Sequence, residues 1–254
     1  MRRIQVLRGR LPLPVAGGRE SFSRALPQAA NSVRVGSVLA LSGLLAACGN
    51  SARNTPQPGS LDGIKQIIQK VRQESFPRLS RADIAVYDLR SNSDYLQARF
   101  TVSSFFSNKL QYLVFFNQEA IRRQVAAGGL RAIVAHELAH ISYYEDQSRM
   151  GLLSLAGLLV PSFTTRFERK ADLDAITLGY GRGLQTFRTW LYRNIPPSRV
   201  AAKKRDYYTP EEIEAILRAE MNHPRIMSKF QRCVPRSLVE INEEVRAPSA
   251  DCPK

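Results

Sequence analysis

Leu130–Ser142 reads LRAIVAHELAHIS. Within it, His136, Glu137 and His140 form an H-E-x-x-H pattern. On a helix, residues four apart share a face, so His136 and His140 point the same way. Two imidazoles at that spacing can bind one zinc ion, Zn²⁺. Glu137 lies about 100° round the helix from His136, since an α-helix has about 3.6 residues per turn. There its carboxylate is placed to take a proton from a metal-activated water without itself being a ligand.

The pattern is short, and a core helix carrying two buried histidines would also satisfy it. Its setting argues for more. Ile133, Val134, Ala135, Leu138, Ala139 and Ile141 make the helix apolar nearly all round, and therefore buried. An ionisable triplet buried there is costly unless something compensates it, and a metal ion would. The chain has 3 histidines, and two of them are in this pattern.

The chain has 254 residues, enough for one catalytic domain with attachments. Hydrophobic residues make up 44% and charged residues 23%, which fits a folded globular chain. The formal net charge is +15. Residues 1–47 carry seven of the arginines and a single acid, Glu20; the remainder is still basic. A basic surface suits anionic surroundings such as a membrane face or an acidic polymer. No zinc knuckle, aromatic RNA-binding motif or Lys/Arg block is present, so nucleic acid is not an expected partner.

Residues 1–33 lack apolar periodicity. Arg34 is then followed by a short apolar run, Val35–Ala47, and by Cys48. A basic residue, a short apolar run and small residues before a cleavage point make a secretory signal. Leu45-Ala46-Ala47-Cys48 resembles the lipobox of bacterial lipoproteins. That resemblance implies cleavage before Cys48, a lipid on its sulfur and a bilayer anchor. Gly49 after it implies the outer membrane, with the protein facing the periplasm. Asn50–Gly59 is polar and fits a tether. The expected organisation is a signal sequence at 1–47, a lipidated tether at 48–59, a catalytic domain at 60–235 and a C-terminal helix and tail at 236–254.

Leu61, Ile64, Ile67, Ile68 and Val71 recur at helical spacing, with Ser60 as a cap. Ile84–Leu89, Leu96–Val102 and Leu110–Phe116 read as strands of a small antiparallel sheet. Gly128-Gly129 is expected to break the chain before the histidine helix. Residues 150–163 are apolar but too short to cross a bilayer; they fit a buried helix, a cleft wall or a lipid-contacting segment. Gly179, Gly181 and Gly183 are expected to end the following helix, and Leu184–Arg193 to form another. Thr209-Pro210-Glu211-Glu212 is a capping box opening a helix to Asn222, and Ser237–Val245 reads as a last helix. Cys233 and Cys252 are able to pair in an oxidising compartment.

Glu168 and Asp172 are four apart and share a helix face. They suit surface acids paired with Arg169 or Lys170. With H-E-x-x-H upstream, a second role is favoured. A catalytic zinc needs a third protein ligand, which Glu168 can supply. Asp172 can then bond the far ring nitrogen of a ligating histidine.

Ala135–His140, the Glu168…Asp172 pair and Asn222-His223-Pro224 together resemble the gluzincin metallopeptidases related to the CAAX prenyl endopeptidase and the HtpX-like heat-shock proteases. The resemblance spans about residues 60–235. It implies a zincin-like α+β fold, mainly helical, with a small antiparallel sheet beside a zinc-binding helix pair. It implies one zinc per chain held by His136, His140 and Glu168, with Glu137 as catalytic base and Asp172 behind the ligands. His223 would lie over the site as a second catalytic group. Asn222 and Lys229 depart from the family's usual Thr and Arg. The expected activity is hydrolysis of protein or peptide substrates in the bacterial envelope, in a quality-control role. The alternative is a zinc-containing chaperone or binding lipoprotein that does not cleave, its metal capped by His223.

Overall fold

The long helix of the H-E-x-x-H stretch is the axis of the fold, and its apolar character explains its place there. The computed structural model describes residues 60–107, 109–148, 151–152, 161–246 and 252, all within one compact unit. The proposed leader, Cys48, the tether and residues 150 and 153–160 of the apolar run lie outside the described residues.

Helix α1 (Leu61–Ser75) opens on Ser60, whose Oγ accepts the Gly63 N–H at 3.1 Å. Its apolar stripe buries Ile64, Ile68 and Val71. A 3₁₀ turn at Pro77–Arg81 leads to β1 (Asp83–Asp88) and β2 (Leu96–Phe100). The short helix α2 (Val102–Phe105) precedes β3 (Gln111–Phe116), and the short α3 (Glu119–Arg122) follows it. Then come α4 (Ala127–Asp146), α5 (Pro161–Ala175), a π turn at Ile176–Tyr180, α6 (Gly181–Asn194), α7 (Pro197–Asp206), α8 (Pro210–Asn222), α9 (Ile226–Cys233) and α10 (Leu238–Arg246). The protein is mainly helical α+β, as the sequence implies.

The sheet is mixed, which corrects the antiparallel expectation. Its order is β1-β3-β2; β2 runs antiparallel to β3, but β1 runs parallel to it. The cause is the β1–β2 connection. The Asn117 side chain, just past the end of β3, donates to Ser91 O at 2.6 Å and Asp94 O at 3.2 Å. The connecting loop is thereby pinned across the end of β3, so β3 enters between the two earlier strands. Along β3, Tyr112, Val114 and Phe116 are buried, alternating with half-exposed Leu113 and Phe115.

Helix α4 is packed by α1, α5, α6 and β2, and is buried on nearly every side. Gly128 and Gly129 lie inside its first turn instead of breaking the chain before it. Packing explains the difference. A Cβ on Gly183 of α6 would stand 2.4 Å from Gly128 O and 2.9 Å from the Ala132 Cβ. The missing side chain at Gly183 lets α6 approach α4 closely at this turn, where a Cβ on Gly129 would meet Phe187 at 3.4 Å and one on Gly128 would meet nothing within 4 Å. Gly179, with φ of 87°, makes the bend between α5 and α6.

One core lies between α1, the sheet and α4; a second joins α5, α6, α8, α9 and α10. The Thr209–Glu212 capping box is formed, and α8 ends at Asn222. Helix α10 buries Ile241 in the second core, and its Glu244 makes a buried ion pair with Lys229 of α9. Cys233 and Cys252 form a disulfide with Cα atoms 5.1 Å apart. Helix α10 is thus tied to the second core, and Cys252 to α9. Among the described residues, no helix is long and apolar enough to cross a membrane.

Candidate metal centre

Helix α4 presents His136 and His140 one turn apart, and α5 packs against it with Glu168 facing both. His136 Nε2 lies 3.2 Å from His140 Nε2. Glu168 Oε2 lies 3.2 Å from the first and 3.1 Å from the second. Three donor atoms thus form a nearly equilateral triangle, and the triad can hold a metal ion. Zinc bonds of about 2.0–2.1 Å at tetrahedral angles would set neighbouring donors about 3.3–3.4 Å apart. The triangle is within a few tenths of an ångström of one face of that tetrahedron. Both histidines are buried, so the triangle is not an accident of mobile surface groups. The imidazole of His140 also stacks on Phe167, with centroids 4.5 Å apart, which fixes its plane.

Asp172 backs the triad. Its Oδ1 stands 2.8 Å from His136 Nδ1, a close contact off the line of an ideal hydrogen bond. The same oxygen accepts from Arg188 Nη2 at 2.8 Å, and Oδ2 accepts the Tyr208 N–H at 3.0 Å. Burial pushes the Asp172 carboxyl up, but Arg188 and His136 outweigh it and hold the group below its ordinary range. Burial likewise pushes Glu168 up, and the two histidines bring it well below that range. Burial works against a charge on His136, but Asp172 and Glu168 raise its pKa to about 10. The carboxylates therefore make this a place where a cation is strongly favoured, whether proton or metal.

Glu137 is buried on the side of α4 that faces β2, and accepts the Ala98 N–H on Oε2 at 2.6 Å. Burial raises its pKa above the ordinary value, against the pull of the two histidines. Glu137, His140 and Glu168 open on a cleft of about 370 Å³, whose far wall is β2 from Leu96 to Phe100. Tyr207 also lines it, its ring 5.8 Å from that of His136.

The structure thus brings together His136, Glu137, His140, Glu168 and Asp172. It does not bring His223 to them. The N-terminal approach to α8 is at the site, through Tyr207 and Tyr208. His223 caps the other end of that helix, 13 residues on, a span of about 20 Å at 1.5 Å per residue. It is exposed there.

Two further residues at the site belong to no local motif. Arg188 is 2% exposed, holds Asp172, and lies 4.1 Å from the Tyr207 ring centroid. Its signal was present: Leu184, Arg188 and Leu191 fall on one helical stripe, and an arginine among buried leucines needs a buried partner. Tyr207 follows α7 in an irregular stretch with no periodicity to place it.

No family model, curated protein or solved structure matches the chain.

Proposed function

We propose that this protein is a zinc-dependent endopeptidase, anchored through Cys48 and acting on polypeptides in the bacterial envelope. The observation that carries the reading is the triangle of His136, His140 and Glu168 donors, with Glu137 buried beside it at the mouth of a strand-walled cleft. Two neutral nitrogens and one carboxylate suit zinc better than calcium or magnesium, which prefer all-oxygen shells.

His136, His140 and Glu168 would hold the zinc ion, which would supply Lewis acidity toward a peptide carbonyl and toward water. Glu137 takes the proton of the attacking water and passes it to the leaving amine. Asp172, fixed by Arg188 and the Tyr208 N–H, holds His136 in the orientation that presents Nε2. Strand β2 lies at the sheet edge, where an extended peptide can add as a further strand. Location in the envelope, and a role in disposing of damaged proteins there, rest on the lipobox and on the likeness to HtpX-type proteases.

A non-cleaving form capped by His223 gains no support from this geometry, since His223 lies at the far end of α8. The test is casein cleavage by the purified chain beside Glu137→Gln. Cleavage should fall about 10²–10⁴-fold in the variant, with metal content unchanged. Equal cleavage by both, or none by either, sinks the proposal.

A further inference from the structure

We propose that the main-chain N–H of Ala98 is a positioning group for Glu137, and that it sets which bond of an extended peptide is presented for cleavage. The inference rests on the reading of Glu137 as a peptidase base.

Strand β2 has β3 on one side and the cleft on the other. Its hydrogen bonds reveal which residues face which way. Thr101 N–H donates to Gln111 O at 2.9 Å, and Tyr95 O accepts from Asn117 N–H at 2.9 Å. Residues 95 and 101 therefore turn their main chain toward β3. Along an antiparallel strand this alternates, so Leu96, Ala98 and Phe100 turn theirs outward. The Ala98 bond to Glu137 agrees, because it runs away from β3 toward α4.

An outward-facing edge residue offers a guest strand one N–H and one C=O. Ala98 has already given its N–H to Glu137, at 2.6 Å. This is the one hydrogen bond made by that carboxylate among the described residues, and a charge-assisted bond of that kind fixes its direction. A guest strand can pair with Leu96 and Phe100 on either side. Opposite Ala98, one guest carbonyl finds no donor on the strand. That carbonyl is left to the reacting centre, beside the base that displaced it from the ladder. Ala98 thus aims Glu137 and leaves one peptide bond of the guest unpaired at the same point. The substrate class follows: an extended, unfolded segment long enough to span residues 96–100, about 16 Å at 3.3 Å per residue, in preference to di- or tripeptides.

Ala98→Pro tests this, because it removes an N–H that no ladder bond uses, at an edge position where proline is tolerated. On an unfolded casein-derived peptide, kcat should fall about 10–100-fold, as when the partner orienting a catalytic group is lost. KM should stay within about twofold, because the substrate does not use this N–H. Ala98→Ser keeps the N–H, so its kcat should be restored well above that of Ala98→Pro. If the proline variant misfolds by circular dichroism, a backbone ester in place of the Gln97–Ala98 amide removes the same hydrogen and takes its place. A rise in KM at unchanged kcat would mean that the N–H binds substrate directly, and would overturn the proposal; so would no change in either. An active Ala98→Pro beside an inactive Glu137→Gln overturns this inference alone. An active Glu137→Gln overturns the base reading beneath it.

Discussion

Arg188 and Asp172 are charged, buried, and bonded to each other. Removing one charge of such a pair strands the other, at a cost of about 3–5 kcal/mol. Arg188→Met should therefore lower unfolding free energy in urea by about that amount. Adding Asp172→Asn to it should restore part of the loss, since the carboxylate that lost its guanidinium partner is then gone. If the double variant is less stable than the single, the pair is not the reason for the loss. Metal affinity should also fall about 10–100-fold in Arg188→Met, read by chelator competition, because His136 loses a fixed partner. At this scale the sequence was informative where chemistry depends on local spacing. His136, Glu137 and His140 share one helix, as do Glu168 and Asp172, and 3.6-residue periodicity alone predicts their faces. Arg188 was missed because its partner lies on another helix, and no local pattern connects the two.

Among the elements, α7 is tied to the loop before β2 by a charged contact. Lys203 Nζ lies 2.8 Å from Asp94 Oδ1, and the Ser91 and Ser93 hydroxyls donate to Asp94 Oδ2. Burial pushes the Asp94 carboxyl up, but Lys203 and the two serines outweigh it and hold the group below its ordinary value. A carboxyl lowered on folding stabilises the fold above its unfolded pKa of about 3.9, and loses that effect as pH falls through the lower folded value. Asp94→Asn should thus be less stable than the unmodified protein at pH 7, and the gap should close with acidification below about pH 4. A gap independent of pH would contradict this. Thr209→Ala should cost about 1 kcal/mol by removing the cap of α8. The helices were readable in advance where caps and apolar stripes agree, as in α1 and α8. The parallel pairing of β1 with β3 was not, because it depends on Asn117 pinning a distant loop. The helical place of Gly128 and Gly129 was not, because the packing of α6 on this turn through Gly183 is a long-range contact.

For the molecule as a whole, α4 joins one core on the sheet side to a second formed by the C-terminal helices. The Cys233–Cys252 disulfide closes the end of that second body, with a sequence separation of 19. Replacing both cysteines by serine should cost about 3 kcal/mol of unfolding free energy, from the loop-closure entropy regained by the unfolded chain. Denaturation under non-reducing conditions checks this. The same topology placed His223 beyond reach: a local His-Pro motif carries no information about the length of helix separating it from the site. The central claim is that α4 and α5 together hold one zinc ion, and elemental analysis of the purified chain tests it most directly. The account predicts one zinc per chain, retained in Glu137→Gln and lost in His136→Ala and Glu168→Ala while circular dichroism still reports folded helices. Substoichiometric zinc in the unmodified chain, iron in its place, or zinc that survives loss of either ligand would contradict it.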